Sequence, residues 1–164
     1  MKRYIFIILC FFLITGCQTS ENKENTDERL YQQYLKYYTK LKNHKNFVAT
    51  IEECSISLVL NKTNNQNIRY DIIIDQPLHE MEDIKAIAYI EEEKKYNPPS
   101  IGLLEEQSFS LKPNVIDKEN GIYKGINLSG MTVLDEINVK VYLTYTYHDK
   151  FVERYIVLYG NATW

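Results

Sequence analysis

Several residue types that often carry chemistry or covalent support are scarce in this chain of 164 residues. Its six glycines leave little material for phosphate-holding loops, and the sequence has neither such a loop motif nor a Gly-x-Ser-x-Gly nucleophile elbow. Of its three cysteines, only Cys54 lies outside the first 17 residues, which excludes a disulfide framework within the folded domain. The net charge of −3 argues against nucleic acid as a partner, because affinity for phosphates comes mainly from lysine and arginine.

The N-terminal segment combines positive charge with one apolar run. Lys2 and Arg3 precede an almost unbroken apolar stretch at residues 4–14. This stretch is shorter than the roughly 20 residues that a membrane-spanning helix needs. The order of positive charge, short apolar run and small residues is that of a secretory signal peptide.

The end of this segment, Leu-Ile-Thr-Gly-Cys at residues 13–17, resembles the lipobox of bacterial lipoproteins. In that family the cysteine thiol receives a diacylglycerol, and the signal peptide is cut off just before the cysteine. The resemblance implies a signal peptide at residues 1–16 and a lipidated Cys17. The lipid would hold the protein on the extracytoplasmic face of the cell membrane, since two acyl chains give stable anchoring. Abundant Lys, Asn, Ile and Tyr, whose codons are rich in A and T, indicate a Gram-positive source.

A tether and a helix are predicted to follow the lipid anchor. Residues 17–27 are expected to be flexible, because residues 18–27 contain no aliphatic or aromatic side chain. Residues 28–45 predict an amphipathic helix with Asp27 as its N-cap. Its apolar stripe, with steps of three and four, consists of Leu30, Tyr34, Tyr37 or Tyr38, and Leu41, and is widened by Tyr31 and Leu35. This stripe either packs on the domain or docks the protein, as an accessory subunit, to a membrane complex.

From residue 46 to residue 164 the sequence alternates between apolar and polar side chains, which is typical of strands with one buried face. The clearest strands are expected at 68–75 and in a final hairpin, with a turn at residues 148–150. Less regular strands are expected at 47–60, with a bend near residues 52–53, and at 122–128, where Ser129-Gly130 would form a turn.

About seven such strands predict a mainly β domain, an antiparallel two-sheet sandwich preceded by one helix. In strand count and size this domain resembles immunoglobulin-like and fibronectin III-like sandwiches. It lacks the paired cysteines and the inner tryptophan of antibody domains, since its one tryptophan is Trp164. The combination of lipobox, tether, helix and sandwich resembles small lipoproteins of Gram-positive bacteria.

The final strand carries a candidate interaction surface. Its aliphatic side chains are expected to face the core, because tyrosine tolerates water better than isoleucine or leucine. The outer face of the sheet would then present an aromatic patch, and such patches mark interaction sites. The patch consists of Tyr142, Phe151, Tyr155 and Tyr159. The alternative is that the tyrosine-rich helix covers it.

Little in the sequence indicates catalysis, a metal site or a cofactor. The three histidines, His44, His79 and His148, lie in predicted connections and lack partners at metal-binding spacing. Cys54 continues an alternating apolar run and is expected to be a core residue.

The leading hypothesis is a membrane-anchored, non-enzymatic module that binds a protein, a peptide or a cell-wall component. The alternative from another class is a hydrolase or metal-dependent enzyme that uses loop carboxylates, which cluster at Glu80, Glu82 and Asp83 and at residues 91–93.

Overall fold

The computed structural model describes residues 19–63, 67–93 and 97–162. The predicted signal peptide and Cys17 lie outside these ranges. The described part contains helix α1 (Thr19–Asn43), a short 3-10 helix (Lys118–Asn120) and nine strands. The strands are β1 (Ser55–Lys62), β2 (Ile68–Asp75), β3 (Glu82–Ile90), β4 (Ser100–Ile101), β5 (Ser110–Leu111), β6 (Ile122–Tyr123), β7 (Gly125–Thr132), β8 (Glu136–Tyr147) and β9 (Lys150–Asn161).

Seven of these strands form two antiparallel sheets, with the orders β1-β2-β7 and β4-β3-β8-β9. The remaining two, β5 and β6, form a small parallel pair. Apolar side chains from both larger sheets contribute to one hydrophobic core. The described part of the chain is therefore mainly β, with antiparallel sheets and one long helix, as the sequence predicts.

The strongest alternating patterns correspond to the central strands. In β2 the predicted inward set is buried, namely Ile68, Tyr70, Ile72 and Ile74. Strand β8 places its own alternating set in the same core. The β8–β9 turn has positive φ at His148 (46°) and Asp149 (58°), which suits the two-residue hairpin turns that match the twist of the strands. In β9, Ile156 and Leu158 face the core, so the predicted orientation of this strand is confirmed.

Two predicted boundaries at strands are wrong. Ser129 and Gly130 lie inside β7 and do not form a turn. Gly130 is required there by packing, because a Cβ atom at this position would lie 2.3 Å from the ring of Tyr70. Of the predicted strand at 47–60, only the part from Ser55 onward belongs to β1, while Val48 makes an isolated parallel bridge to Ile156 in β9.

The helix begins earlier than predicted. It starts at Thr19 and not after Asp27, so residues 19–27, which the sequence assigns to a flexible tether, are helical. Spacing of apolar residues marks only the part of a helix that is buried. A helix already fixed by packing extends at little cost through residues such as Glu and Lys, which have good helix propensity.

Candidate functional site

The tyrosine-rich stripe of α1 is buried against the outer face of the β4-β3-β8-β9 sheet. Tyr34, Tyr37 and Leu41 form an apolar cluster with side chains of that sheet, including Ile87 and Tyr142. The stripe also makes specific hydrogen bonds. The Tyr34 hydroxyl donates to the carbonyl of Pro98 at 3.0 Å, and the Tyr37 hydroxyl lies 2.9 Å from Oγ1 of Thr144. The stripe therefore packs on the sheet within the molecule.

A charged network fastens the helix to the sheet. Nζ of Lys40 lies 2.5 Å from Oε1 of Glu153 and donates to the Tyr142 hydroxyl at 3.2 Å. That hydroxyl in turn donates to Glu153. The hydrogen bonds from Lys40 and Tyr142 hold the pKa of Glu153 below its usual value, whereas burial raises the pKa of Tyr142.

The four residues of the predicted aromatic patch do not share one exposed surface. Tyr142 is only 1% exposed, and Tyr155 is half-buried beneath the ring of His44, whose centroid lies 3.5 Å away. Phe151 and Tyr159 remain exposed, at 63% and 62%, but they lie towards opposite ends of β9. The alternative in which the helix covers the patch applies to Tyr142 and Tyr155.

A groove of about 780 Å³ lies between two loops and the start of β7. One wall comes from the connection after β2 and the other from the connection after β5; the lining residues are Asp75, Gln76, Pro77, Leu78, Lys112, Pro113, Asn114, Val115, Ile116 and Lys124. Leu78 and Ile116 are 75% and 59% exposed, so both walls present aliphatic side chains to solvent. The volume falls in the range of about 300–1,000 Å³ that is typical of ligand sites.

The two walls of the groove are braced against each other. Met81 and Leu111 exchange backbone hydrogen bonds of 2.8 and 2.9 Å, and Nζ of Lys112 donates to both carboxylate oxygens of Glu80 at 3.1 and 3.2 Å. The amide of Leu78 donates to the carbonyl of Glu53 at 2.9 Å. These contacts hold the groove in place, so a ligand would not have to order the loops on binding.

Polar groups are placed among the aliphatic ones. Gln76 and Asn114 lie on opposite walls, and both have positive φ, 49° and 59°. Asp75 and Lys124 add one negative and one positive charge to the lining, whereas the charge of Lys112 is offset by Glu80. Apolar walls with a few polar groups are the usual composition of a binding site.

Few features of the sequence indicate this groove. Pro77 and Pro113 mark the ends of strands, but they do not indicate that the two loops meet. A better indication of the groove is the presence of three aliphatic residues, Leu78, Val115 and Ile116, in connections that are otherwise polar.

Of the predicted acidic residues, Glu80 and Glu82 line one small pocket with His148 and Asp149, and three are paired with lysines. Glu80 binds Lys112, Asp83 binds Lys85 and Glu91 binds Lys140, so these three carboxylates are engaged with three different lysines. In the described ranges, no group of three or more His, Cys, Asp or Glu residues is arranged to hold a metal ion.

Cys54 is a buried core residue. Its side chain belongs to the cluster between the sheets, and burial raises the pKa of its thiol to about 12. The thiol is therefore protonated at neutral pH and unsuited to act as a nucleophile.

Comparisons with known proteins add no relative to this picture. No protein-family model matches the chain, no match was found among the curated proteins, and none among the solved structures. Within the described residues, no helix has the length and apolar character needed to cross a membrane.

Proposed function

We propose that this chain is a membrane-anchored extracytoplasmic lipoprotein of a Gram-positive bacterium, and that its domain is a non-enzymatic binding module. The support for the anchor is the N-terminal sequence, in which two basic residues, a short apolar run and Leu-Ile-Thr-Gly-Cys follow in the order of a lipoprotein signal. Cys17 would carry the diacylglycerol and become the first residue of the mature protein.

The proposal extends to the fold class, an immunoglobulin-like or fibronectin III-like sandwich. Its support is the strand order, in which β1-β2-β7 and β4-β3-β8-β9 each combine strands from separate parts of the chain. The second sheet joins the final hairpin to β3, as the C, F and G strands do in sandwiches of this class. Domains with this architecture commonly bind other molecules through loops at one end of the sheets.

The assignment of a binding function rests on the groove, whose two walls are held together by hydrogen bonds and expose Leu78 and Ile116. Surface aliphatic side chains of this kind, gathered on two rigid walls, mark interaction sites. The ligand that fits best is a peptide segment of a partner protein. Aliphatic side chains of such a segment would contact both walls, and its backbone amides would pair with Gln76 and Asn114.

A photo-crosslinking amino acid at Ile116 tests this assignment in intact cells that express the full chain. We expect one adduct of defined mass. Leu78→Asp should reduce its yield about tenfold or more, because a loss of 1.4 kcal/mol in binding already has that effect. Leu104→Asp is the matched control, since Leu104 is also exposed but lies outside the groove.

The same photo-crosslinker at Phe151 distinguishes the groove from the aromatic residues of β9. Phe151 is exposed and belongs to the surface predicted from the sequence. The same adduct from Phe151, or a yield at Ile116 that Leu78→Asp leaves unchanged, would rule out the groove as the binding site.

A further inference from the structure

The register of the β1-β2-β7 sheet shows which backbone groups point out of its β7 edge. The amide of Thr63 donates to the carbonyl of Asn67 at 2.8 Å, which makes these two residues a hydrogen-bonded pair. The backbone groups of Asn67 therefore point towards the β1 side. Because this direction alternates along a strand, the amide and carbonyl groups of Tyr70 and Ile72, three and five residues further on, point towards β7. They are opposite Gly130 and Leu128. The intervening residues Asn127, Ser129 and Met131 therefore direct theirs away from the sheet.

The other three sheet edges are short, occupied or charged. Strand β4 has only two residues. At β9, Val48 donates to the carbonyl of Tyr155 and accepts from the amide of Val157, both at 3.0 Å. Strand β1 carries the charge of Lys62 at its end, and charged side chains are among the features that keep an edge from pairing. Strand β7 ends its sheet, and no comparable backbone bond to its outward groups occurs in the described ranges.

Strand β7 also lacks the features that normally keep an edge from pairing. Proteins protect long edge strands with charged side chains, proline or bulges. Its eight residues, GINLSGMT, include no charge and no proline, and its pairing with β2 is continuous from Gly125 to Thr132.

Asp71 in β2 fixes the side chains beside this edge. Its Oδ1 accepts a hydrogen bond from Nδ2 of Asn127 at 2.9 Å and another from the hydroxyl of Ser129. Both side chains are thereby held towards β2 and away from an incoming strand. The edge is uncharged and regularly paired with β2 along its whole length.

We propose that β7 pairs antiparallel with β7 of a second copy of this chain. An uncharged edge best accepts an uncharged strand, and β7 is itself such a strand. Antiparallel pairing about a two-fold axis makes the contact self-complementary and closed. The two three-stranded sheets then join into one continuous sheet, and the outward groups of Asn127, Ser129 and Met131 gain partners.

Cysteine crosslinking in intact cells that express the full chain tests this pairing. A residue on the two-fold axis faces its own copy, so mild oxidation should give a species of twice the monomer mass from Ser129→Cys when the axis passes beside Ser129, or from Met131→Cys when it passes beside Met131. Val59→Cys is the matched control, because Val59 is exposed on the same face but lies on β1, two strands away. The unsubstituted chain controls for Cys17, and Cys54 is buried.

A second experiment tests the pairing by placing a charge at the β7 edge. Met131→Lys, added to Ser129→Cys, should lower the dimer yield several-fold, whereas Val59→Lys should leave it unchanged. The proposal is overturned if neither cysteine gives a dimer, if Val59→Cys gives as much, or if Met131→Lys has no effect. A crosslinked product whose mass is not twice that of the monomer also overturns it, since the occupant would then be another protein.

Discussion

At the scale of single residues, the alternating patterns of β2 and β8 define the core correctly, because a strand has only two faces and one of them is buried. For Tyr142, the sequence places the side chain on the outer face of its sheet and leaves open whether the helix covers it. It does lie opposite the core between the sheets, but α1 covers it. A local pattern gives the face on which a side chain lies. It does not show whether a distant element packs on that face.

Asp71 is an informative residue because it is a buried carboxylate on the outer face of a sheet. Burial alone would raise the pKa of this carboxyl. Hydrogen bonds from Ser129, Arg69 and Asn127 outweigh that effect and hold the pKa of Asp71 below 3.8, its ordinary value. The ionised form is therefore the one that the fold stabilises.

The stability that Asp71 contributes should depend on pH. A depressed pKa in the folded state contributes stability at neutral pH, and that contribution is lost as the pH falls below about 4 through the pKa of the folded state. Asp71→Asn should therefore lower the free energy of unfolding at pH 7, and its difference from the wild type should shrink towards pH 2–3. Urea denaturation at a series of pH values measures both effects.

Asp135→Asn is the control for this series, because Asp135 has an exposed side chain and only a distant contact with Lys62, at 3.8 Å. It should change the free energy of unfolding by no more than about 0.5 kcal/mol at either pH. A difference for Asp71→Asn that stays constant from pH 7 to pH 3 would contradict the role given to its ionised form.

At the scale of elements, α1 illustrates what periodicity can and cannot show. The steps between Leu30, Tyr34, Tyr37 and Leu41 identify the buried stripe, and all four are buried. The stripe alone left open whether the sheet or a partner receives it. The first turns of the helix, from Thr19, have no apolar spacing and so gave no periodic signal.

Removing one buried side chain of α1 should destabilise the domain. Leu41 is fully buried at the centre of the contact with the sheet, and truncating such a leucine to alanine usually costs about 2–5 kcal/mol. We expect a loss of that size for Leu41→Ala in the free energy of unfolding, measured by urea denaturation and circular dichroism. Leu104→Ala, at an exposed leucine, should stay within about 0.5 kcal/mol of the wild type.

The alternative role of the helix gives the opposite result. If the stripe docked a partner, Leu41→Ala would leave the stability of the isolated chain unchanged and would reduce partner binding. Equal stability of the Leu41→Ala and Leu104→Ala variants would therefore refute the packing of α1 on the β4-β3-β8-β9 sheet.

At the scale of the whole molecule, the mainly β class and the tyrosine-rich helix follow from composition and periodicity, whereas the groove does not. Its walls come from residues 75–78 and 112–116, with Lys124 as a third contributor. These segments are brought together where Met81 and Leu111 pair and Lys112 binds Glu80. The β7 edge depends on strand order in the same way. The sequence predicts a turn at Gly130, and only its position opposite Tyr70 in β2 shows that it is a strand residue.

The central claim is that this domain works from a lipid anchor on the outside of the cell, and comparison of the wild type with Cys17→Ala tests it most directly. Intact mass and membrane fractionation are measured on cells that express each full chain. The wild type should carry the mass of a diacylglycerol on a chain that begins at Cys17 and should stay with the membrane, while Cys17→Ala should lack that mass and lose the lipid anchor. Equal mass and equal fractionation, apart from the substitution itself, would contradict the lipoprotein assignment.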